Sequence, residues 1–243
     1  MPLFIVNEEN IIDNCLHIEG SDFTHLTRVR RAKVGDLIDA ATPCRKISAI
    51  ITQISNNKII AQIQHSGENL NASISLTVYL CVLKGKSFEN AIQKCVEIGV
   101  NSIVPVISKR TVPEIEDKIE KKCARWNTIS KEAAKQSLRE KIPKVFEPRK
   151  FCDAIFSDED VKMIAHPMCQ TDLKSFLNKQ TGSSVGILIG PEGGFEEDEL
   201  LAAQDAGWGG VNFGFSVMRA ETAAVVLPAV VIYELCNLNE KIK

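Results

Sequence analysis

The eight cysteines of this 243-residue chain form no pattern that a metal site would need. No two of them are closer than 14 residues, so there is no CxxC pair and no zinc-ribbon or thioredoxin signal. Long apolar runs are also absent, and the longest, 223–233, is too short to span a bilayer. The first nine residues carry neither a basic nor a long apolar region, so no secretory signal is predicted. We therefore expect a cytosolic protein with buried free thiols, no membrane segment and no metal.

Charge is small in total but uneven along the chain. The net charge is −2, yet residues 118–150 carry 11 Lys and Arg against 4 Asp and Glu, and residues 151–243 carry 6 against 14. A second basic cluster, 28–33, holds three arginines and a lysine. A local basic face attracts phosphates even when the whole chain is near neutral. Each cluster alone could be a solvated surface, but together they favour a polyanionic partner.

The first 70 residues predict a small β-barrel. Two runs rich in β-branched residues, 46–54 and 58–63, are joined by a hairpin-type turn at 55–57. A turn followed by a strand is predicted at 34–40, and a linker near 66–71. We expect one domain at 1–70 and a second at 71–243.

The second domain alternates strands with helices, which implies an α/β fold with a parallel sheet. Strands are predicted at 76–83, 102–107, 161–165, 185–189 and 211–213. Helices are predicted at 88–98, at 114–139 in two pieces, at 196–206 and at 220–238. The last helix is apolar on every side between 223 and 232, so it should be buried, with a kink at Pro228. So apolar a helix near the end of the sequence favours a homodimer.

Two of these strands end at glycine-bearing turns. The run 185–189 leads into Gly190–Phe195, and the run 211–213 leads into Gly214 and then 218–223. Ligands of open α/β sheets bind outside the carboxyl ends of the strands, so the two turns could wall one small-molecule site. The first turn has neither the P-loop ending nor GxGxxG spacing, and Glu192 would repel a phosphate, so an uncharged or cationic ligand fits better. For this turn alone, an ordinary glycine turn is the simpler interpretation.

A pair of charged residues favours a ligand site over an ordinary glycine turn. Arg219 and Glu221 follow the second turn, and a buried arginine without a partner is costly. The two side chains therefore either form a structural pair or address a ligand.

Taken together, Gly190–Phe195, Gly214 and the sequence Met-Arg-Ala-Glu-Thr-Ala at 218–223 resemble the RsmE-type branch of the SPOUT RNA methyltransferases. Enzymes of this branch methylate uracil N3 in small-subunit (16S) ribosomal RNA. The resemblance covers nearly the whole chain, including 84–85, 93–100 and 125–143, and residues 25–36 resemble the RNA-binding PUA-like barrel of the family. The chain departs from the family pattern at 215–219, and at 29–31, where Val-Arg-Arg replaces Val-Leu-Arg.

The resemblance implies a C-terminal SPOUT domain with a deep trefoil knot, whose loops bind S-adenosylmethionine across a homodimer interface. Carried onto this chain, the cofactor-binding residues are His166, Pro167, Ile189, Gly190, Pro191, Gly193, Gly194, Phe213, Gly214, Val217 and Met218. The expected RNA contacts are His25, Arg28, Arg30, Lys84, Gln136 and Arg139, although each of these alone could be a surface charge or a cap.

The implied reaction assigns two catalytic residues. Arg219 would stabilise the uracil anion, and Glu221 would orient Arg219 rather than take the proton. N3 lies on the Watson–Crick edge, so the target base must be unpaired or flipped out. The ribosomal RNA or the small subunit is the expected partner. Methylation of another RNA site, and a non-catalytic RNA-binding module, are the alternatives.

Overall fold

The structure, a computed structural model, describes residues 3–6, 8–41, 45–68, 74–112, 119–139, 141–214 and 216–235. The chain divides into two compact units. The first comprises Met1–Asn71 with Ala134–Ile142, and the second comprises Ala72–Ala133 with Pro143–Lys243. The predicted boundary at 70/71 lies outside the described residues. The prediction placed 134–142 in the second domain, whereas the structure groups these residues with the first unit.

The first unit is built on a six-stranded sheet with the order β1-β4-β5-β6-β3-β2. Strands β1 and β4 pair in parallel, and the other pairs are antiparallel. The predicted hairpin is confirmed as β5 and β6. Alternating Ile and Ala side chains of these strands form the core of the unit, together with Leu26 from the helical segment after β3. The elements are β1 (Leu3–Ile5), β2 (Ile11–Ile12), β3 (Cys15–Glu19), α1 (Gly20–Thr24), a π-helical turn (His25–Val29), β4 (Leu37–Ala41), β5 (Arg45–Ile54) and β6 (Lys58–Glu68).

The second unit is built on a parallel sheet of seven strands with the order β10-β8-β7-β12-β11-β13, in which β9 also pairs with β8. This confirms the predicted α/β class. Its strands are β7 (Ser75–Cys81), β8 (Ser102–Ile107), β9 (Lys144–Val145), β10 (Arg149–Lys150), β11 (Val161–Ala165), β12 (Ser184–Ile189) and β13 (Gly209–Val211). Its helices are α2 (Ser87–Ile98), α3 (Ile119–Gln136, of which 134–136 belong to the first unit), α4 (Phe151–Ala154), α5 (Leu173–Leu177), α6 (Glu197–Asp205) and α7 (Ala220–Leu235).

Both faces of this sheet are covered, because parallel strands with apolar residues on both sides need helices on both sides. Along β7, Leu76, Val78 and Leu80 face one core, which contains α2 and α7. Tyr79 and Cys81 face the other core, which contains residues of α4 and α6. The central strands are therefore fixed from both sides, and the loops at their ends start from a rigid base.

The structure describes large parts of the two longest predicted helices. Residues 119–136 form one continuous helix, which ends three residues before the predicted limit at 139; the first part of the predicted region, 114–118, lies outside the described residues, so the division into two pieces stays a prediction. Helix α7 extends over Ala220–Leu235 and contains the buried Pro228, where the kink stays a prediction; residues 236–238 of the predicted helix lie outside the described part. Trp126 of α3 is 3% exposed and packs against Phe88 of α2 with 4.7 Å between ring centroids, so it is a core residue, as expected.

The six cysteines in the described part of the chain are free. Burial raises the pKa of Cys81 and of Cys95 to about 12, so both thiols stay protonated at neutral pH. Of the helices that the structure describes, none combines the length and apolarity needed to cross a bilayer.

Candidate functional site

Three neighbouring strands of the parallel sheet end in one row. Ala165, the last residue of β11, is the register partner of both Ile189 at the end of β12 and Val211 at the end of β13. The loops after these strands therefore leave the sheet side by side. They contain the two glycine turns of the sequence analysis and the His166–Pro167 dipeptide.

A cavity of about 680 Å³ lies at this edge, within the size range of small-molecule sites. Every residue of the predicted cofactor set lines it, together with both predicted catalytic residues. The lining comprises Ser87, Ala165, His166, Pro167, Ile189, Gly190, Pro191, Glu192, Gly193, Gly194, Phe195, Val211, Asn212, Phe213, Gly214, Ser216, Val217, Met218, Arg219, Ala220, Glu221, Ala223 and Leu227. Gly190 and Gly214 thus face the same space, as one shared site requires.

Backbone hydrogen bonds hold the mouth of the cavity in shape. The N–H of His166 donates to the carbonyl of Val211 at 2.9 Å, which ties the loops after β11 and β13 together. The N–H of Gly194 donates to the carbonyl of Pro191 at 2.9 Å and closes the first glycine turn. Gly194 and Gly214 have φ values of +70° and +106°, in the left-handed region where other residues are strained. The glycines at these two positions are thus a backbone requirement.

Two polar groups of the cavity, Glu192 and His166, suit a ligand with positive charge. Glu192 contributes a carboxylate, whose Oε1 accepts the N–H of Lys84 at 3.0 Å. Burial lowers the pKa of His166, so this imidazole is neutral at pH 7 and does not repel a cation. Apolar side chains such as Ile189, Phe195 and Leu227 form much of the remaining wall.

Arg219 and Glu221 lie at the start of α7 and face the cavity. The Arg219 side chain is exposed, and the carbonyl of Arg219 accepts the N–H of Ala223 at 2.9 Å, so the residue sits at the helix amino terminus. Among the described residues, no ion pair or hydrogen bond joins the two side chains. The structural pair is therefore absent from the described residues, and because Arg219 is exposed, water can solvate its charge without a partner.

Five of the six predicted RNA contacts belong to the first unit. His25 and Arg28 lie in the π-helical turn, Arg30 directly follows it, and all three are exposed. Gln136 and Arg139 lie in the segment 134–142. Within this unit, Lys135 pairs with Asp22 of α1 at 2.6 Å, which fixes the end of α3 beside the helical segment that carries His25.

The other predicted contacts differ in accessibility. Gln136 is exposed, whereas Arg139 is half-buried, and burial lowers its pKa to about 10. Arg139 thus keeps its charge at neutral pH. Lys84 belongs to the second unit, where it is exposed after β7 and donates its backbone N–H to Glu192.

Sequence reasoning missed several residues of the cavity wall. Ser87 begins α2 after β7, and β7 lies beside β12 in the sheet, so the sheet order brings Ser87 to the cavity. Ala223 and Leu227 reach it from the inner face of α7. Their only sequence signal is helical periodicity, which says that they are buried but not against what. Asn212 and Glu192 lie inside the motifs and could have been included.

The RNA methyltransferase domain family matches residues 70–232. The chain is 33% identical over 229 residues to ribosomal RNA small subunit methyltransferase E of Mesomycoplasma hyopneumoniae, covering 93% of this chain and 97% of that protein. It is 30% identical over 232 residues to the protein of the same name from Bacillus subtilis, covering 89% of each.

A solved structure agrees with the sequence relatives. Ribosomal RNA small subunit methyltransferase E from Neisseria gonorrhoeae, bound to S-adenosyl methionine, superposes with a TM-score of 0.87 at 26% identity. The superposition covers 98% of this chain and 99% of that one. The likeness therefore includes both units.

Proposed function

The chain belongs to the RNA methyltransferase domain family, and we propose that it transfers the methyl group of S-adenosylmethionine to N3 of one uridine in small-subunit (16S) ribosomal RNA. The observation that carries this proposal is the shared cavity at the ends of β11, β12 and β13, which contains the whole motif-derived cofactor set. The relatives named as small-subunit ribosomal RNA methyltransferases, one of them solved with this cofactor, support the substrate and the methyl donor. Such an enzyme acts in the cytoplasm, where ribosomal subunits are assembled.

The cofactor is proposed to lie between the two glycine turns. Gly190 and Pro191 lead the first turn away from β12, and Phe213 and Gly214 lead the second away from β13. The Glu192 carboxylate and the neutral His166 give the cavity a polarity that tolerates a sulfonium. The proposed cofactor-binding residues are His166, Pro167, Ile189, Gly190, Pro191, Gly193, Gly194, Phe213, Gly214, Val217 and Met218.

The contribution of the protein to the methyl transfer is mainly alignment. The methyl group of a sulfonium is already activated, so the residues of this chain need to hold the uracil nitrogen, the methyl carbon and the sulfur in line. Such positioning can supply roughly 7–11 kcal/mol of the barrier. A cavity whose loops start from one row of strand ends is a suitable rigid frame for it.

Arg219 is proposed to stabilise the negative charge that forms on the uracil. N3 carries a proton at neutral pH, and it becomes a good nucleophile only when that proton leaves and the charge moves to the ring oxygens. The Arg219 guanidinium faces the cavity and has no side-chain partner in the described part of the chain, so it is available for those oxygens. Glu221, which lines the same cavity, is proposed to orient Arg219 in the RNA complex.

The first unit is proposed to be a PUA-like barrel that binds the RNA. Arg28 and Arg30 are both exposed and two positions apart in the sequence, and the segment with Gln136 and Arg139 belongs to the same unit. Contacts to phosphates from such residues carry affinity rather than sequence specificity. The proposed RNA contacts are His25, Arg28, Arg30, Lys84, Gln136 and Arg139.

Two further features are proposed for the second unit. The loops around the cavity are proposed to form the trefoil knot of the SPOUT fold. A second copy is proposed to cover α7 and the cavity mouth, because Val225, Val226 and Ala229 are only half-buried and Val217 is 78% exposed. Apolar side chains at such positions gain free energy when a partner removes them from water.

Two measurements test the proposed function. Isothermal titration calorimetry of the protein with S-adenosylmethionine should give a saturable 1:1 signal per chain, and no binding at millimolar ligand would favour an RNA-binding module without catalysis. Mass spectrometry of 16S rRNA from a strain that lacks the gene should show loss of one 3-methyluridine. If that nucleoside persists while another methylated nucleoside is lost, the enzyme acts at another RNA site.

A further inference from the structure

The side chain of Arg110, a residue that follows β8, is hydrogen-bonded to the first glycine turn. Nη1 of Arg110 donates to the carbonyl oxygen of Gly193 at 2.8 Å, and Nε donates to Oε1 of Glu196 at 2.9 Å. The aliphatic part of the same side chain lies over Gly193. A Cβ atom at position 193 would stand 3.4 Å from both Cβ and Cδ of Arg110. The arginine therefore covers the turn at Gly193, and it is not among the residues that line the cavity.

Glu196, the second partner of Arg110, is itself fixed. It begins α6 with a capping box, in which Glu199 Oε2 accepts the N–H of Glu196 at 2.9 Å. Oε1 of Glu199 accepts the N–H of Lys109 at 2.9 Å, and Glu199 is only 4% exposed. The segment after β8 and the start of α6 are thus joined by a buried carboxylate. Arg110 adds a connection from these two segments to the first glycine turn, because it bonds both Glu196 and Gly193.

The peptide bond between Gly193 and Gly194 is held at both of its polar ends. Its carbonyl accepts from Arg110, and its N–H donates to the carbonyl of Pro191 at 2.9 Å. A peptide between two glycines meets little steric resistance to rotation, because neither neighbour has a Cβ. Without Arg110, only one hydrogen bond would oppose rotation of this peptide plane. The wall of the cavity at Gly193 and Gly194 would then lose its fixed shape.

We propose that Arg110 is a positioning residue for the first glycine turn. Its side chain holds the Gly193–Gly194 peptide in the orientation that binds the methyl donor. This role rests on the proposed function. The contact is poorly suited to a stabilising role for the whole fold, since the Arg110 and Glu196 side chains are 50% and 41% exposed and exposed ion pairs contribute little. Its effect should therefore be local to the loop.

The test compares Arg110→Ala with Lys109→Ala as matched control. Lys109 is the preceding residue and pairs with Asp198 of the same helix, but the structure shows no contact between its side chain and the turn. By calorimetry, Arg110→Ala should bind S-adenosylmethionine about three- to tenfold more weakly, the range expected for the loss of one hydrogen bond of ordinary strength at an exposed side chain. Lys109→Ala should bind as the unchanged protein does. Arg110→Lys, which keeps the charge but not the planar fork, should fall between them.

A second measurement needs no cofactor. Amide hydrogen exchange followed by NMR should show faster exchange of the Gly194 N–H in Arg110→Ala than in Lys109→Ala, with the amides of β12 unchanged. Equal exchange in both variants, or unchanged cofactor affinity in Arg110→Ala, would refute the positioning role. If the unchanged protein binds no S-adenosylmethionine, the proposed function fails, and the exchange experiment still decides whether Arg110 locks the peptide. Should Arg110→Ala fail to fold, Arg110→Lys takes its place in both measurements.

Discussion

Replacing Gly214 with alanine should weaken cofactor binding while leaving the melting temperature nearly unchanged. Gly214 has a φ of +106°, which an alanine adopts only at a cost of about 1–3 kcal/mol. Apart from its two chain neighbours, no atom of the described residues lies within 4 Å of the added Cβ, so the cost is backbone strain and not a clash. The residue is exposed, and its N–H makes only a long hydrogen bond of 3.4 Å to Asn212. In the free protein the loop can therefore relax away from this conformation.

The relaxed loop must return to the strained conformation when the cofactor binds. A penalty of about 1–3 kcal/mol corresponds to roughly 5- to 150-fold weaker binding. Gly207→Ala is the matched control, because Gly207 has a φ of +87° in the same unit but does not line the cavity. Its N–H donates to Gln204 at 2.9 Å, and the next residue, Trp208, is 1% exposed. This turn is fixed by its neighbours and has little room to relax.

The two variants should consequently show opposite behaviour. Gly207→Ala should lower the melting temperature by about 2–4 °C for each kcal/mol of strain and leave the affinity unchanged. Calorimetry gives the affinities for S-adenosylmethionine, and differential scanning calorimetry without ligand gives the melting temperatures. If Gly214→Ala binds the cofactor as tightly as the unchanged protein, the second glycine turn is not part of the cofactor-binding site.

Three other changes test the remaining parts of the proposal. Arg219→Ala should reduce kcat by about 100- to 1000-fold with little change in cofactor affinity; an equal loss of both in single-turnover and calorimetric assays would contradict its assignment to the uracil anion. Burial lowers the pKa of His166, so the folded protein favours the neutral imidazole. The contribution of this group to the free energy of unfolding is therefore present above about pH 6.5 and is lost as the pH falls towards the lowered pKa. Protonation there also opposes a sulfonium, so cofactor affinity measured from pH 8 to pH 5 should fall at the acidic end, and His166→Asn should flatten that profile. Arg28→Ala and Arg30→Ala should each weaken RNA binding and reduce the salt dependence by about one phosphate contact in filter-binding titrations, and an unchanged slope would remove that residue from the RNA surface.

Much of the second unit follows from local sequence patterns. The apolar runs at 102–107 and 161–165 are strands with those limits, and the stripe of α2 ends at Gly99, whose φ is +126°. Strand β13 is different, since it begins at Gly209, two residues earlier than predicted. Gly209 and Gly210 suggest a turn in isolation, but pairing with Met163 and Ile164 makes them a strand. Only the tertiary partner supplies that information.

The candidate site also has parts that local sequence patterns predict and parts that depend on tertiary neighbours. The two glycine turns could be identified because each follows an apolar strand, and strand ends of a parallel sheet share one edge. The contributions of Ser87 and Leu227 depend on which strands are neighbours, and sequence periodicity does not encode neighbours. The grouping of 134–142 with the first unit was missed for a similar reason. The pair Lys135–Asp22 joins residues 113 positions apart, and each looks like an ordinary surface charge when taken alone.

The alignment of Ala165, Ile189 and Val211 makes this edge intolerant of changes in strand length. Deleting one residue from β11, β12 or β13 would withdraw its loop by about 3.3 Å and would turn each following side chain to the opposite face of the sheet. Insertions in exposed turns at the amino ends of the same strands would leave the row in place. Variants of this protein should therefore differ in length in the turns at the amino ends of these strands and hardly at all at their carboxyl ends.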